Sequence, residues 1–197
     1  MGLVKFSTYC SNHLCTLRDL IDYGIPQKRG AFTDHQLRFL KEFYKSYPLW
    51  KNKAPSSLPL SLIKDIFSGV AQLHSDEFIH RGLTPDAVFI ISSKKTVFAT
   101  IGALGSTLQP SKKTEKDYSA DVFALGCLVF FALLKGKDPY SDEHKRAPVE
   151  TAFKELLKNF PEAHHLIFQM LDPNILFRYS EIFFVASFAF LLSMTTM

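Results

Sequence analysis

Apolar residues recur along the chain in two kinds of run. Between residues 58 and 76, Leu62, Ile63, Ile66, Val70 and Leu73 fall at three- and four-residue steps. That is the period of one helix face, and the turn Asp76-Glu77 closes the run. Between residues 121 and 134 nearly every position is apolar, including Val122, Leu125, Leu128, Val129, Phe130 and Phe131. A segment apolar on all faces predicts a buried central helix. Its 14 residues are too few to span a bilayer. Two short apolar strands, residues 88–91 and 96–100, flank Ser92-Ser93-Lys94-Lys95, which is a hairpin pattern.

Shorter signals fill the rest. Residues 3–8 read as a strand. Residues 16–23 read as a helical turn with Thr16 as N-cap. Residues 24–53 are polar and aromatic, broken by Gly24, Pro26, Gly30 and Pro48, and predict an irregular connection with a helix over 34–44. Residues 106–119 are polar and lysine-rich and predict a mobile loop. Gly136, Pro139 and the charged run 142–146 predict another loop. Helices are predicted over 149–158 and 163–171, separated by Pro161. There is no internal repeat.

Composition narrows the class. With 47% hydrophobic and 14% aromatic residues the chain is globular. The net charge of +4 does not imply nucleic acid. The basic stretch 27–53 (Lys28, Arg29, Arg38, Lys41, Lys45, Lys51, Lys53) is opposed by Asp34 and Glu42 and reads as a solvated face. Three cysteines, Cys10, Cys15 and Cys127, suggest a reducing compartment and no disulfide framework. Cys10, His13 and Cys15 give three crowded ligands and no fourth, so no metal site is expected, and His164-His165 reads as an exposed pair. Residues 1–10 lack a signal-peptide core. Phe6 excludes N-myristoylation at Gly2.

The chemistry concentrates in His80-Arg81-Gly82-Leu83-Thr84-Pro85-Asp86-Ala87-Val88-Phe89-Ile90. This stretch resembles the catalytic loop of a protein kinase, which reads H-R-D-L, a Lys-Pro pair, Asn, then an apolar strand. His80, Arg81, Leu83 and Pro85 are kept. Gly82 stands where the resemblance puts the catalytic Asp, Thr84 where it puts the Lys, and Ala87 where it puts the metal-binding Asn. After the hairpin, Ala103-Leu104-Gly105 occupies the place of the metal-binding D-F-G triplet, with only Gly105 retained. Asp121, in Ser119-Ala120-Asp121-Val122-Phe123-Ala124-Leu125-Gly126-Cys127, matches an Asp that anchors the catalytic loop from below. Leu171-Asp172-Pro173-Asn174-Ile175-Leu176-Phe177-Arg178 resembles a late L-x-x-D-P-x-x-R-P signature, with Tyr179 in place of its Pro. Within kinases the similarity is to the inositol-requiring-enzyme type, an endoplasmic-reticulum stress sensor joining a kinase to an endoribonuclease, in its plant forms. Cys15-Thr16-Leu17-Arg18-Asp19-Leu20-Ile21, Leu49-Trp50-Lys51 and Gly69-Val70-Ala71-Gln72-Leu73-His74 carry it.

The resemblance implies a mainly α fold: a kinase-like C-terminal lobe with a short hinge strand and a small β-hairpin, the N-terminal lobe absent. It divides the chain into a hinge-like remnant (1–15), the lobe (16–180) and an apolar tail (181–197). It also implies lost catalysis. Phosphoryl transfer is positioning and charge neutralisation, and Ala87 and Ala103 cannot ligate magnesium. Gly82 removes a base worth about 10²–10⁴ in rate, and Asp86 stands at the wrong motif position to replace it. His80, Arg81, Pro85, Gly105, Asp121 and Arg178 remain as structural motif residues, with Glu115 a substitute partner for Arg178. The expectation is a cytoplasmic pseudokinase fragment without cofactor, binding a protein partner such as a related kinase. The alternatives are a Ser/Thr kinase with residual magnesium-ATP binding, a membrane-tethered module using residues 182–194 at the endoplasmic reticulum, and a truncated duplicate without function. The uncharged tail itself reads three ways: a membrane anchor, a helix packed on the lobe, or an unselected end prone to aggregation.

Overall fold

Thr16 starts its helix by a reciprocal bond. Its hydroxyl accepts from the Asp19 N–H at 3.1 Å, and the Asp19 carboxylate accepts from the Thr16 N–H at 3.0 Å. This capping box satisfies donors that the first turn would otherwise leave unpaired. The computed structural model describes residues 15–51, 54–93, 96–109, 115–139, 151, 153, 154, 158 and 161–174. The predicted strand 3–8, Cys10, His13, Arg178 and the tail lie outside the described residues.

Strand β1 (Cys15–Thr16) leads into α1 (Leu17–Tyr23), which buries Leu17, Leu20 and Ile21. The connection 24–53 is more regular than its composition suggests. It holds a 3₁₀ turn (Pro26–Ala31), then α2 (Asp34–Ser46) with its own capping box from Thr33 and Gln36. It closes with the two-residue strands β2 (Trp50–Lys51) and β3 (Ala54–Pro55). Helix α2 buries Leu40 and Phe43 while its charged residues stay outside. The Tyr44 hydroxyl donates to the Leu20 carbonyl and ties α2 to α1.

Helix α3 (Ser57–Ser75) matches the predicted amphipathic segment within one residue at each end. Its buried face is Leu62, Ile63, Ile66, Phe67, Val70 and His74. Leu73 is only half-buried, and the next residue takes the inward place. Strands β4 (Val88–Ser93) and β5 (Thr96–Ile101) form the predicted hairpin, and β1 adds to it in the order β1-β4-β5, all antiparallel. Ser92 pairs with Val97 and Ser93 with Thr96, so the ladder takes in two serines that the sequence assigns to the turn. Helix α3 lies close on β5: a Cβ on Gly69 would come within 2.9 Å of Ile101 Cδ1.

Helix α4 runs Glu115–Leu133, which corrects two expectations. The loop expected over 106–119 ends early, and the central helix starts six residues before Asp121. A polar stretch does not forbid a helix when its inner residues find partners, and here Ser119 and Asp121 are both buried. The helix ends at Lys135 and Gly136, both left-handed (φ 56° and 80°), with the Gly136 N–H donating to the Phe131 carbonyl at 2.8 Å. Left-handed backbone suits glycine and stops a helix there. Helix α5 (Pro161–Met170) begins on Pro161 itself, which the sequence assigns to a break. Proline lacks only an N–H that a first turn leaves free. Of the predicted helix 149–158, only isolated residues are described.

The buried apolar residues of α1, α3, the hairpin, α4 and α5 form one continuous core. Together these elements give the mainly α, kinase-like C-terminal lobe with a small three-stranded sheet that the sequence implies. Among the described residues no helix is long and apolar enough to cross a membrane.

Cys15 lies in this core, and burial, with the Asp19 carboxylate beside it, pushes its thiol up to about 12. A thiol so far above neutral holds little thiolate, the reactive form. Native protein at pH 8 is expected to leave Cys15 unlabelled by an alkylating reagent and to label it only after unfolding. Peptide mapping before and after denaturant distinguishes this from a reactive Cys15.

Candidate functional site

Asp121 gathers the candidate site from inside α4. Its Oδ2 accepts from the His80 N–H at 2.6 Å, and its Oδ1 from the Arg81 N–H at 2.8 Å. His74 Nε2, from the end of α3, reaches the same Oδ2 at 2.8 Å, so the proton of that bond sits on Nε2. All this happens out of solvent: Asp121 is 1% exposed, His74 7% and His80 0%. Burial by itself would raise the Asp121 carboxyl. The bonds from His74 and from the backbone of His80 and Arg81 outweigh it and hold the group below its ordinary value of 3.8. Arg81 has φ 64°, a conformation disfavoured for a residue with a Cβ. The Asp121 bond to its N–H is one of the restraints that keep it there.

His80 carries the structure onward. The Gly82 N–H donates to His80 Nδ1 at 3.2 Å, so the ring proton is on Nε2, which donates to the Gly102 carbonyl at 2.8 Å. The Gly102 N–H in turn donates to the Ala87 carbonyl at 2.8 Å. One hydrogen-bond chain therefore links Gly82, His80, Gly102 and Ala87, and Ala103 follows Gly102 directly in sequence. Gly82, Ala87 and Ala103 each contribute a hydrogen or a methyl. Thr84 is exposed at the outer edge of the same loop.

The backbone at Ala103 is unusual for a residue with a Cβ. Ala103 is left-handed (φ 56°, ψ 38°) and exposed. That region costs a residue with a Cβ about 1–2 kcal/mol, while Gly, Asn and Asp adopt it more readily. Replacing Ala103→Gly is expected to stabilise the protein by roughly 1 kcal/mol. A urea titration showing no gain would mean that the left-handed turn is not maintained in solution. Gly105, the retained glycine, has nothing within 4 Å of a built Cβ and no positive φ, so sterics do not require it here. Gly102 is the opposite case: a Cβ there would lie 1.9 Å from the Phe89 ring, which covers it.

Three contacts had no motif to announce them. The Arg18 guanidinium bonds Asp86 at 2.7 Å, which holds the nearby carboxylate toward α1. Asp65 of α3 accepts from the Ala99 N–H of β5 at 3.1 Å, and burial holds its carboxyl above the ordinary value. His74 is the third, with Tyr118 packed against its ring at 4.7 Å. The signal for His74 was present. Leu62, Ile66, Val70 and His74 fall at four-residue steps on one face, so a polar residue was pointed at the core.

Among the described residues, the positions that the resemblance assigns to magnesium ligands carry no side-chain oxygen. A hard cation needs oxygen ligands, and Ala87 and Ala103 present methyl groups. Asp86 is engaged by Arg18 and Asp121 by three donors. No group of three or more His, Cys, Asp or Glu is gathered for a metal among the described residues. An open cavity of about 690 Å³ lies on the other flank of the loop, between α1 and α4, lined by Leu83, Pro85, Cys127 and Phe131 with Arg18 and Lys135 among its cations. None of Gly82, Ala87 and Ala103 lines it.

No family model matches the chain. Comparison with known proteins nonetheless finds consistent relatives. The chain is 29% identical to the serine/threonine-protein kinase/endoribonuclease IRE1b of Arabidopsis thaliana, over 81% of this chain and 22% of that protein. It is 30% identical to the serine/threonine-protein kinase/endoribonuclease IRE1 of Oryza sativa subsp. japonica, over 64% and 17%. It is also 30% identical to the inactive serine/threonine-protein kinase/endoribonuclease IRE1-like of Arabidopsis thaliana, over 80% and 34%. The chain therefore spans about a third or less of the length of these relatives.

Proposed function

We propose, from the premise that this chain is a homologue of the IRE1-type kinase/endoribonucleases, that it is a catalytically silent kinase-like lobe acting as a protein-interaction or regulatory module. The observation that carries the reading is the contrast inside one hydrogen-bonded cluster. Asp121, His74 and His80 keep the loop in shape, while Gly82, Ala87 and Ala103 present nothing that takes a proton or holds a cation. A base and two metal ligands together supply most of what a phosphoryl-transfer site contributes beyond positioning. That one relative is itself named inactive supports the reading. On this reading the module needs no magnesium-ATP, acts in the cytoplasm, and its partner is a related kinase.

The assay is transfer of labelled phosphate from ATP to the chain itself and to a generic protein acceptor, with and without magnesium. The expected result is no magnesium-dependent incorporation. Incorporation that disappears in Asp86→Asn would overturn the reading and favour a kinase with a relocated base. The partner is tested separately, by calorimetric titration of the chain with the kinase region of an IRE1-type relative. Saturable heat is expected, and its absence removes the partner while leaving the inactive reading in place.

A further inference from the structure

Arg18 is held as a ready-made anion receptor. Its Nε donates to Asp86 at 2.7 Å, and its guanidinium carbon lies 5.4 Å from the centre of the Phe131 ring. The ion pair and the ring together fix the plane of the group. Its two Nη groups enter no hydrogen bond or ion pair among the described residues. A fixed guanidinium with unused donors matches the two oxygens of a carboxylate.

This fork borders the cavity of about 690 Å³ between α1 and α4. That volume falls within the range of small-molecule sites, about 300–1,000 Å³. Leu83, Leu128 and Phe131, all buried, supply apolar wall. The cations of the lining come from three separate elements: Arg18 from α1, Lys28 from the 3₁₀ turn, and Lys135 and Lys137 from the turn after α4. Cations placed after α4 also offset the negative end of that helix, which accounts for neither Arg18 nor Lys28. Among the described residues Asp138 is the one acid in the lining, while Asp86 and Asp22 pair with Arg18 and Lys28 from outside it. One positive charge is left over, which a single carboxylate balances. We propose that this cavity binds a small amphiphilic monocarboxylate, its head on the Arg18 fork and its apolar body against Leu83, Leu128 and Phe131. The site uses none of Gly82, Ala87 and Ala103, so it stands apart from the catalytic reading.

Cys127 lines the same cavity and is half-buried, so its alkylation reports occupancy. The test follows iodoacetamide labelling of Cys127 in the full chain by peptide mapping. The probe is 2-naphthoate, and 2-naphthamide is its uncharged counterpart. Cys127 is expected to label without a probe, at least fivefold more slowly with saturating 2-naphthoate, and less than twofold more slowly with equal 2-naphthamide. Equal slowing by both would make the cavity a generic apolar hollow and overturn the carboxylate assignment. No slowing by either, or no labelling without a probe, would overturn the site itself. Arg18→Gln is expected to raise the 2-naphthoate concentration for half-protection at least tenfold. Arg18→Lys, which keeps the charge but not the fork, is expected to recover only part of that loss. An unchanged concentration in Arg18→Gln would overturn the role of Arg18. Cys15, buried in the core, stays unlabelled in a variant that has kept its fold, and the comparison of the two probes on the parent protein needs no variant.

Discussion

Replacing Asp121→Ala is expected to destabilise the protein by about 3–5 kcal/mol, because it takes the acceptor from three donors and each buried donor left unsatisfied costs about 1–3 kcal/mol. The carboxylate satisfies two backbone N–H groups and the His74 ring at once. Its loss leaves the backbone donors at residues 80 and 81 without that acceptor, and Arg81 without a restraint on its left-handed backbone. Asp121→Asn keeps one good acceptor and is expected to lose less. Urea unfolding of the three proteins measures this, and an alanine variant within 1 kcal/mol of the parent would show that the cluster does not hold the loop. The same group sets an acid limit. Its folded value lies below its ordinary 3.8. The stability it contributes is therefore fully present above the unfolded value and is lost as pH falls through the folded one. Asp121→Asn should flatten the stability profile below about pH 4; an unchanged slope there would assign acid lability to other carboxylates.

Phe130→Ala is the second large effect, at about 3–5 kcal/mol. The side chain is 1% exposed and its ring lies 4.9 Å from that of Phe153, so truncation leaves a cavity in the core and removes a ring contact. Phe130→Leu refills much of that volume and is expected to recover most of the loss. Equal midpoints for parent and alanine variant at unchanged denaturant slope would mean that α4 is not the centre of the fold.

How far the sequence could be read depended on whether the signal was local. The apolar step pattern of α3, the hairpin around residues 92–95 and the all-apolar body of α4 are local patterns, and each appears within a few residues of its expected place. Gly82, Ala87 and Ala103 were singled out only through a resemblance, since nothing local in the sequence relates these three positions. The start of α4 was not legible. Its first turns are polar, and what stabilises them is tertiary: Ser119 buried, and Tyr118 packed on His74. The strands β2 and β3 were hidden for a related reason, since two-residue strands with Pro55 at the edge give no alternation to detect. His74 entered only as the end of the family-like stretch Gly69 to His74, with no role given to it, because its partner lies 47 positions away. Arg18 and Asp86, 68 positions apart, were equally out of local view.

On the proposed reading the lobe keeps a kinase-like scaffold without phosphate chemistry, and a thermal melt of the full chain with and without magnesium-ATP tests both halves together. One cooperative transition at the same temperature in either condition is the result expected. A transition raised by magnesium-ATP, in proportion to the logarithm of its concentration as binding to the folded state demands, would contradict the account and restore a nucleotide site to this chain.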